Sequence, residues 1–272
     1  MNHQKKVVIV TGASSGIGRA CALEFARRGY AVVLAARTAS ALQDVQQTIR
    51  NSGGDALSIC TDVTQVDDCR RLMHQTVTHF GRIDVLVNNA GISMRALFSE
   101  LKLDVLHQVM AVNFWGTVYC TYYALPELLK TSGSIVGVSS VAGLVGLPAR
   151  TGYCASKFAM HGFLEALRIE HLYDRLHVLI VCPGYTASNI RNTALDKEGR
   201  PQGESPLEEN RLMPPETVAK AIARGVEKRR RTQVLTLQGK ATLWMKHYAP
   251  RWLDHLIYRF ISKETDSPLR PR

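Results

Sequence analysis

The fold is decided by the stretch Val7-Val8-Ile9-Val10-Thr11-Gly12-Ala13-Ser14-Ser15-Gly16-Ile17-Gly18. Its four consecutive β-branched residues are typical of a strand buried on both faces of a parallel sheet. The three glycines allow a tight turn and a close approach to the backbone, and a helical pattern then continues to Arg28. Free N–H groups at the start of such a helix bind phosphate. The order strand, glycine-rich turn, helix therefore predicts a dinucleotide site, with a purely structural turn as the alternative.

Strands and helices alternate along the rest of the chain. Further strand-like apolar runs lie at 31–36, 56–60, 83–87, 134–139, 176–181 and 233–236. Helical patterns cover 39–52, 65–80, 103–130, 151–174 and 214–228. The alternation predicts an α/β fold of the Rossmann type, a doubly wound parallel sheet of about seven strands with helices on both faces. We expect residues 1–237 to form this single domain and residues 238–272 to form a helical extension.

Length and composition fit one globular domain. The chain has 272 residues, of which 46% are hydrophobic and 21% charged, and this suffices for a substantial core. Six scattered cysteines, without a Cys-x-x-Cys pair, argue against a zinc site or a disulfide framework and suit a reducing compartment. The start has no secretory apolar segment, and no uncharged apolar run is long enough to cross a bilayer. We expect a cytoplasmic protein, with peripheral membrane association as an open alternative.

Candidate catalytic residues lie between Ser140 and Lys157. Ser140 follows the apolar run 134–139, so its hydroxyl should face the crevice at the carboxyl ends of the strands. Tyr153 and Lys157 are four residues apart and share a helix face. The ammonium is expected to lower the pKa of the phenol from about 10 toward the range useful for proton transfer. Taken alone, such a pair more often marks a packed tyrosine beside a solvated lysine, so the other motifs decide.

The end of the second strand bears on the cofactor. Ala36 and Arg37 stand where an NAD site usually has an acidic residue. A guanidinium can bind a ribose 2′-phosphate in bidentate fashion, whereas a carboxylate would repel it. NADP(H) is therefore favoured over NAD(H). A merely solvated Arg37 is the alternative, and Ser15 stands where some NADP enzymes have a second basic residue.

In this order and spacing, the motifs resemble the short-chain dehydrogenase/reductase family over about residues 5–236. The resemblance rests on the glycine turn, Asp62, Asn88-Asn89-Ala90-Gly91, Asn113, Ser140, Tyr153, Lys157 and Pro183-Gly184. It implies hydride transfer between a nicotinamide cofactor and a carbonyl or secondary alcohol. In this scheme Ser140 stabilises the substrate oxygen and Tyr153 exchanges its proton. Lys157 tunes Tyr153 and holds the nicotinamide ribose, and Asn113 holds a water. Ser139 is the rival for the role of Ser140.

The resemblance also implies the cofactor contacts. They are Gly12, Ser14, Ser15, Gly16, Ile17, Gly18, Arg37, Asp62, Val63, Asn89, Ala90, Gly91, Tyr153, Lys157, Pro183, Gly184, Thr186 and Ser188. Asp62 and Val63 would border the adenine, and the segment 89–91 its ribose. Ser188, where the family usually has Thr, would touch the nicotinamide carboxamide, and Thr186 would supply backbone contacts.

Substrate contacts are expected from Ser140, Ser93, Leu147 and Tyr185, and from a lid at 188–214. The apolar members suit a hydrophobic or lipid-like ketone or alcohol. A 3-oxoacyl thioester reductase is one alternative, because a basic tail could attract an acidic carrier protein. An idle NADPH-binding sensor or scaffold is another, although such a protein needs no proton donor.

Most of the positive charge lies near the end of the chain. Of a formal net charge of +11, +8 comes from residues 224–272. Aromatic and apolar residues recur every four positions there, at Trp244, Tyr248, Trp252, Leu256 and Phe260, with a break or kink expected at Pro250. This stripe could pack on the protein's own body, form a homo-oligomer (dimer or tetramer), or lie on an anionic membrane surface. Nucleic-acid binding is disfavoured, since no reader module is present.

Overall fold

Seven parallel strands form one sheet in the part of the chain that the computed structural model describes, residues 5–203, 205 and 212–269. They are β1 (Val7–Thr11), β2 (Ala31–Ala36), β3 (Ala56–Cys60), β4 (Val85–Asn88), β5 (Ser134–Val138), β6 (His177–Cys182) and β7 (Thr232–Val234). Their order in the sheet is β3-β2-β1-β4-β5-β6-β7, and every neighbouring pair is parallel. The predicted doubly wound sheet is confirmed.

The sheet is built outward from β1 in both directions: β2 and β3 lie on one side of it, and β4 to β7 lie on the other. β1 pairs with β2 on one side and with β4 on the other, with Val8 opposite Val85 and Val10 opposite Val87. In open α/β sheets this arrangement leaves a crevice beyond the carboxyl ends of the central strands, where ligands bind. The sheet thus places its crevice directly above the glycine-rich turn.

Helices cover both faces of the sheet. They are α1 (Gly16–Arg27), α2 (Ala39–Asn51), α3 (Val66–Phe80), α4 (Leu103–Met110), α5 (Gly116–Lys130), α6 (Thr151–Glu170), α7 (Pro215–Glu227), α8 (Leu237–Tyr248) and α9 (Pro250–Ile261). Alternate strand residues point to opposite faces. Val8 and Val10 pack in a cluster with Phe25 of α1. Val7 and Ile9 pack in a second cluster on the other face. The sheet therefore lies between two apolar layers.

One predicted helix is interrupted. The pattern over 103–130 indicates a single helix, but a π-helical turn at Ala111–Trp115 separates α4 from α5. This turn carries Asn113, whose buried amide exchanges two hydrogen bonds with the backbone of Ile92. Those bonds stabilise the wider turn, and single π-turns of this kind often occur at functional sites.

The C-terminal extension forms two helices with the expected break at Pro250. Trp244, Tyr248 and Trp252 of the predicted stripe are exposed, whereas Phe260 of the stripe stacks on Tyr185 of the body. The flanking residues Leu253 and Ile261 are buried. Packing on the body therefore accounts for one part of the apolar pattern and leaves the three exposed rings without such a contact. Among the described residues no helix is long and apolar enough to cross a bilayer.

Candidate active site

The glycine turn between β1 and α1 has no room for side chains. Gly12 and Gly16 have φ angles of 65° and 52°, a region that glycine tolerates best. A Cβ atom at Gly18 would lie 2.1 Å from the carbonyl oxygen of Gly12. The turn therefore brings bare backbone to the start of α1, as a pyrophosphate group requires. The residues present fit a bound dinucleotide.

Hydrogen bonds from the end of β4 hold this turn in place. Asn89 Nδ2 donates to the carbonyl oxygens of Thr11 at 2.9 Å and Gly12 at 3.3 Å. The Thr11 hydroxyl accepts from the backbone N–H groups of Asn89 and Ala90, both at 3.0 Å. These hydrogen bonds join the carboxyl ends of β1 and β4.

The other predicted cofactor residues follow the remaining strand ends. Arg37 is exposed just after β2, with its side chain available to solvent beside the site. Asp62 accepts from the backbone N–H and hydroxyl of Thr64, and Val63 is buried against Gly116. Ser188 lies next to Gly16, where an added Cβ would be 3.2 Å from the Cβ of Ser188.

The loop after β6 approaches the same turn through the segment 183–188. The Thr186 hydroxyl donates to the carbonyl oxygen of Gly184 at 3.1 Å, and Arg191 donates to that of Thr186 at 2.7 Å. These contacts fix the loop that carries Ser188. Predicted cofactor residues on β1, β4 and β6 therefore come together at one edge of the sheet.

Ser140 and Tyr153 meet across the cleft. Ser140 begins a short 3₁₀ turn after β5, and its Oγ accepts a hydrogen bond from the backbone N–H of Ala142 at 3.2 Å. Its side chain also hydrogen-bonds that of Tyr153, in the first turn of α6. With one bond accepted from Ala142, the serine hydroxyl has its proton free to donate toward the phenol oxygen.

The pKa of Tyr153 differs from the expectation. Burial raises it to about 12, and the hydrogen bond with Ser140 and the charges of Arg150 and Arg191 offset only part of this effect. Lys157 Nζ lies 5.8 Å from the centroid of the Tyr153 ring. The expected net fall of the phenol pKa is therefore not seen, because burial outweighs the nearby charges. Tyr153 is a neutral phenol at pH 7 and can serve as a proton donor.

Lys157 is fully inside the protein. Its Nζ donates to the carbonyl oxygen of Val138 at 2.9 Å, and burial lowers its pKa to about 8. Asn113 lies close by, since a Cβ atom at Gly91 would be 3.2 Å from Asn113 Oδ1 and 3.6 Å from Lys157 Nζ. The amide of Asn113 is bonded to Ile92 and Ser156, and its backbone carbonyl oxygen accepts from the Thr117 hydroxyl at 2.9 Å, so a water at Asn113 would use the second lone pair of one of its two oxygens.

Ser139, the rival of Ser140, points elsewhere. Its hydroxyl is buried and lies 2.8 Å from Nε2 of His161, on the inner face of α6. Cys182 Sγ lies 3.7 Å from the same nitrogen. This cluster ties β5 to α6 behind the cleft. The geometry therefore favours Ser140 over Ser139 as the residue that meets Tyr153.

The predicted substrate residues lie on three loops, those that follow β4, β5 and β6. The backbone of Leu195 donates to the carbonyl oxygen of Ser93 at 2.9 Å, which joins the start of the predicted lid to the loop after β4. The backbone N–H of Leu147 donates to Cys154 Sγ at 3.2 Å, which joins the loop after β5 to α6. Tyr185 stacks against Phe260 of α9, with 6.2 Å between ring centroids. Positions 204 and 206–211 of the lid lie outside the described residues.

One charged cluster at these loops was missed by sequence reasoning. The carboxylate of Glu264, just beyond α9, is bonded by both Arg150 and Arg95. Arg150 immediately precedes α6, three positions before Tyr153. Residues so far apart in the chain leave no local pattern, and the only available signal was an acidic residue in an otherwise basic tail.

Comparisons with known proteins identify the family of the chain. The short chain dehydrogenase family matches residues 6–199. The chain therefore belongs to the short-chain dehydrogenase family of oxidoreductases. It is 35% identical over 270 residues to 11-beta-hydroxysteroid dehydrogenase-like 2 of Arabidopsis thaliana, covering 96% of this chain and 83% of that one. It is 47% identical over 191 residues to 11-beta-hydroxysteroid dehydrogenase A of Arachis hypogaea, covering 70% and 54%.

Solved structures share the fold. An alcohol dehydrogenase from Thermococcus sibiricus, complexed with 5-hydroxy-NADP, superposes with a TM-score of 0.76 at 25% identity, over 85% of this chain and 96% of that one. A short chain dehydrogenase/reductase from Burkholderia phymatum, in complex with NAD, gives a TM-score of 0.82 at 24% identity, over 93% and 96%. These two neighbours hold different nicotinamide cofactors, an NADP derivative and NAD.

Proposed function

We propose that the chain is an NADP(H)-dependent oxidoreductase that interconverts a ketone and a secondary alcohol on a hydrophobic, steroid-like substrate. The observation that carries the proposal is the meeting of Ser140 and Tyr153 at the strand ends, with Lys157 buried one helical turn further on. A protein that only binds nucleotide needs no such proton donor. We propose that residues 1–237 contain this site and that residues 238–272 are an addition to it.

The proposed mechanism assigns each side chain one task. NADPH, when bound, supplies a hydride to the carbonyl carbon. Ser140 donates a hydrogen bond to the carbonyl oxygen and stabilises the negative charge that develops there. Tyr153, neutral at pH 7 because burial raises its pKa to about 12, gives its proton to the same oxygen.

Lys157 and Asn113 support the proton donor. The Lys157 ammonium would bond the nicotinamide ribose and keep a positive charge near the phenolate that Tyr153 becomes after proton transfer. Asn113 would hold a water that returns a proton from solvent. Both side chains are buried, so their geometry is fixed before substrate binds.

The preference for NADP(H) is argued from charge. Arg37 is exposed beside the end of β2, where a 2′-phosphate would lie, and Ala36 supplies no carboxylate to repel it. The adenine would lie near Asp62 and Val63, and Ser188 with Thr186 would face the nicotinamide carboxamide.

The substrate class is argued from the walls of the cleft and from the relatives. The loops that carry Ser93 and Leu147 also carry the buried apolar residues Met94 and Val145, and the ring of Tyr185 stacks on that of Phe260. Such apolar surroundings suit a large apolar ketone more than a charged one. The plant relatives are named as hydroxysteroid dehydrogenases or as similar to them, which supports a steroid-like substrate.

Steady-state turnover tests the proposal. Purified protein is given NADPH or NADH with a panel containing steroid ketones, cyclohexanone and a 3-oxoacyl thioester. We expect NADPH oxidation to be fastest with a steroid ketone, and slower with NADH. Fastest turnover of the thioester would favour the reductase of acyl thioesters instead. Tight NADPH binding without turnover of any carbonyl would favour the sensor or scaffold and would contradict the proposed activity.

We further propose that α8 and α9 lie on an anionic membrane surface. Their outer side carries Trp244, Tyr248 and Trp252, with the exposed cations Arg251 and Arg259 nearby. Indole and phenol rings with basic neighbours bind the interface of an anionic bilayer. The charge complementarity favours this occupant over a second copy of an equally basic chain.

Flotation with vesicles of phosphatidylserine and phosphatidylcholine tests this surface. The full chain should float with the vesicles, and a variant with Trp244→Ser and Trp252→Ser should remain at the bottom. Tyr173→Ser is the matched control, because Tyr173 is 94% exposed but lies outside the extension. Equal flotation of all three proteins, or dimerisation that depends on the two tryptophans without any flotation, would contradict membrane binding.

A further inference from the structure

The charged cluster beyond α9 joins the end of the chain to the loops beside the cleft. Glu264 has a side chain only 2% exposed, and Arg150 Nη2 donates to its two oxygens at 2.9 and 2.7 Å. Arg95 Nη2 lies 3.5 Å from the same carboxylate and donates to the carbonyl oxygen of Thr265 at 2.5 Å. Three charged side chains are thus buried together, and Glu264 lies more than a hundred residues from either arginine in the sequence.

Each arginine lies on a loop that also carries a predicted substrate residue, Ser93 for Arg95 and Leu147 for Arg150. Arg150 ends the loop 144–150, and its carbonyl oxygen accepts from the N–H of Cys154 in α6. Arg95 follows Met94, and its N–H donates to the carbonyl oxygen of Leu195 at 2.8 Å. These two loops are also joined directly, since the N–H of Ala96 donates to the carbonyl oxygen of Ala149 at 2.9 Å. Glu264 is therefore the point where the tail is fixed to the substrate side.

Burying the charged side chains of this cluster costs solvation free energy, so interactions elsewhere in the fold must compensate for that cost. Desolvating an ion pair offsets much of its attraction, and removing one partner leaves an uncompensated buried charge. Two cations share one carboxylate, and Arg95 Nε has no hydrogen-bond partner among the described residues. Glu264 is the carboxylate that both arginines contact directly, so this one side chain joins the C-terminal segment to both loops.

The same end of α9 reaches the cleft through an aromatic contact. Phe260 stacks on Tyr185 with 29° between the ring planes, and the next residue, Ile261, is fully buried. Tyr185 follows the predicted cofactor residue Gly184 on the loop after β6. The last turn of α9 is thus held from one side by an apolar anchor and from the other by the charged cluster.

We propose that Glu264 is a positioning residue that fastens the C-terminal segment over the substrate side of the cleft and thereby sets the affinity for bulky substrates. The proposal rests on the proposed function, because it takes the loops 93–96 and 144–150 as substrate walls. In this arrangement Glu264 contacts neither cofactor nor reacting atoms. Its bonds to Arg150 and Arg95 fix the positions of the two loops. Its place just beyond α9 also fixes the position of Phe260 against Tyr185.

Kinetics of the full-length Glu264→Gln variant test the proposal. Gln keeps the shape of the side chain but removes the charge that balances the two arginines. We expect KM for a steroid ketone to rise about tenfold or more, because walls displaced by a fraction of an ångström bind a rigid substrate poorly. The kcat for cyclohexanone and the Kd for NADPH should remain within about twofold of the wild-type values, because neither molecule is expected to depend on the loops 93–96 and 144–150.

Asp254→Asn is the matched control. Asp254 is an exposed acidic residue of α9, so this variant removes the same charge from the same segment without touching the cluster. Its KM for the steroid ketone should equal that of the wild type. Wild-type KM in Glu264→Gln, or an equal rise in Asp254→Asn, would overturn the proposal. A parallel loss of NADPH binding in Glu264→Gln would also overturn it, since the effect would then be a general loss of structure.

Two further measurements keep the proposal separate from the proposed function. Phe260→Ala removes the stack on Tyr185 without changing any charge and should raise the same KM. Hydrogen exchange needs no turnover, and Glu264→Gln should speed exchange in 93–96 and 144–150 but leave the glycine turn unchanged. Unaltered exchange in these loops would overturn the proposal even if the enzyme is active. Faster exchange without turnover of any carbonyl would uphold the fastening role and refute the proposed activity alone.

Discussion

Replacement of Gly18 by alanine is the sharpest structural test of the nucleotide cradle. The new Cβ would lie 2.1 Å from the carbonyl oxygen of Gly12 and 2.5 Å from Asn89 Nδ2. A carbon and a carbonyl oxygen pack no closer than about 3.3 Å. The start of α1 must therefore move away from the turn by about 1 Å, since the oxygen belongs to the backbone.

The expected magnitude follows from this displacement. Overpacking of this kind costs about 1–3 kcal/mol of stability, and the helix propensity of alanine returns at most about 1 kcal/mol. The larger effect is on nucleotide binding, because each charge-assisted hydrogen bond to a phosphate is worth about 1.5–3 kcal/mol. The loss of one such bond raises the Kd for NADPH by about 10- to 100-fold.

Fluorescence titration with NADPH and thermal unfolding measure both effects. Gly162→Ala is the control, because Gly162 lies on the exposed side of α6 and an added Cβ there meets no atom within 4 Å. The control should gain about 1 kcal/mol of stability and keep its affinity for NADPH. If Gly18→Ala binds NADPH as tightly as the control does, the turn does not hold the pyrophosphate and the reasoning fails.

Three further predictions concern the cofactor and the proton donor. Arg37→Asp should weaken NADPH binding about tenfold or more and leave NADH binding intact, as measured by titration with each; equal losses for both would contradict a 2′-phosphate site. Ser140→Ala should lower kcat about 100-fold, whereas Ser139→Ala should lower the unfolding free energy by about 1 kcal/mol and change kcat far less, and the reverse ranking would exchange their roles. The kcat for ketone reduction, measured from pH 6 to 10, should be constant at low pH and fall above about pH 8. Burial lowers the pKa of Lys157 to about 8, so its ammonium loses a proton as the pH rises. A kcat that increases across this range would contradict the need for a protonated Lys157 in the reductive direction.

The features predictable from the sequence are those fixed by local pattern. The β-branched run before Gly12 and the later apolar runs identify the strands of the sheet, because a parallel strand is buried on both faces. The pairing of Ser140 with Tyr153 could also be predicted, because Ser140 follows a strand end and Tyr153 lies at the start of the next helix.

Other features depend on contacts between distant segments. The π-helical turn at 111–115 follows from the bonds of Asn113 to Ile92, which no periodicity of the helix reveals. The cluster around Glu264 requires two arginines from loops far away in the chain. The net pKa of Tyr153 depends on how deeply the ring is buried, which its spacing from Lys157 does not reveal.

The Tyr153→Phe variant tests the central assignment, the phenol of Tyr153 as proton donor, most directly. Phenylalanine keeps the ring and removes only the hydroxyl that Ser140 contacts, so the fold and the glycine turn are unchanged. Its kcat for NADPH-dependent ketone reduction should fall by about 10²- to 10⁴-fold, while its Kd for NADPH stays within about twofold of the wild-type value. Turnover at the wild-type rate by this variant would contradict the assignment.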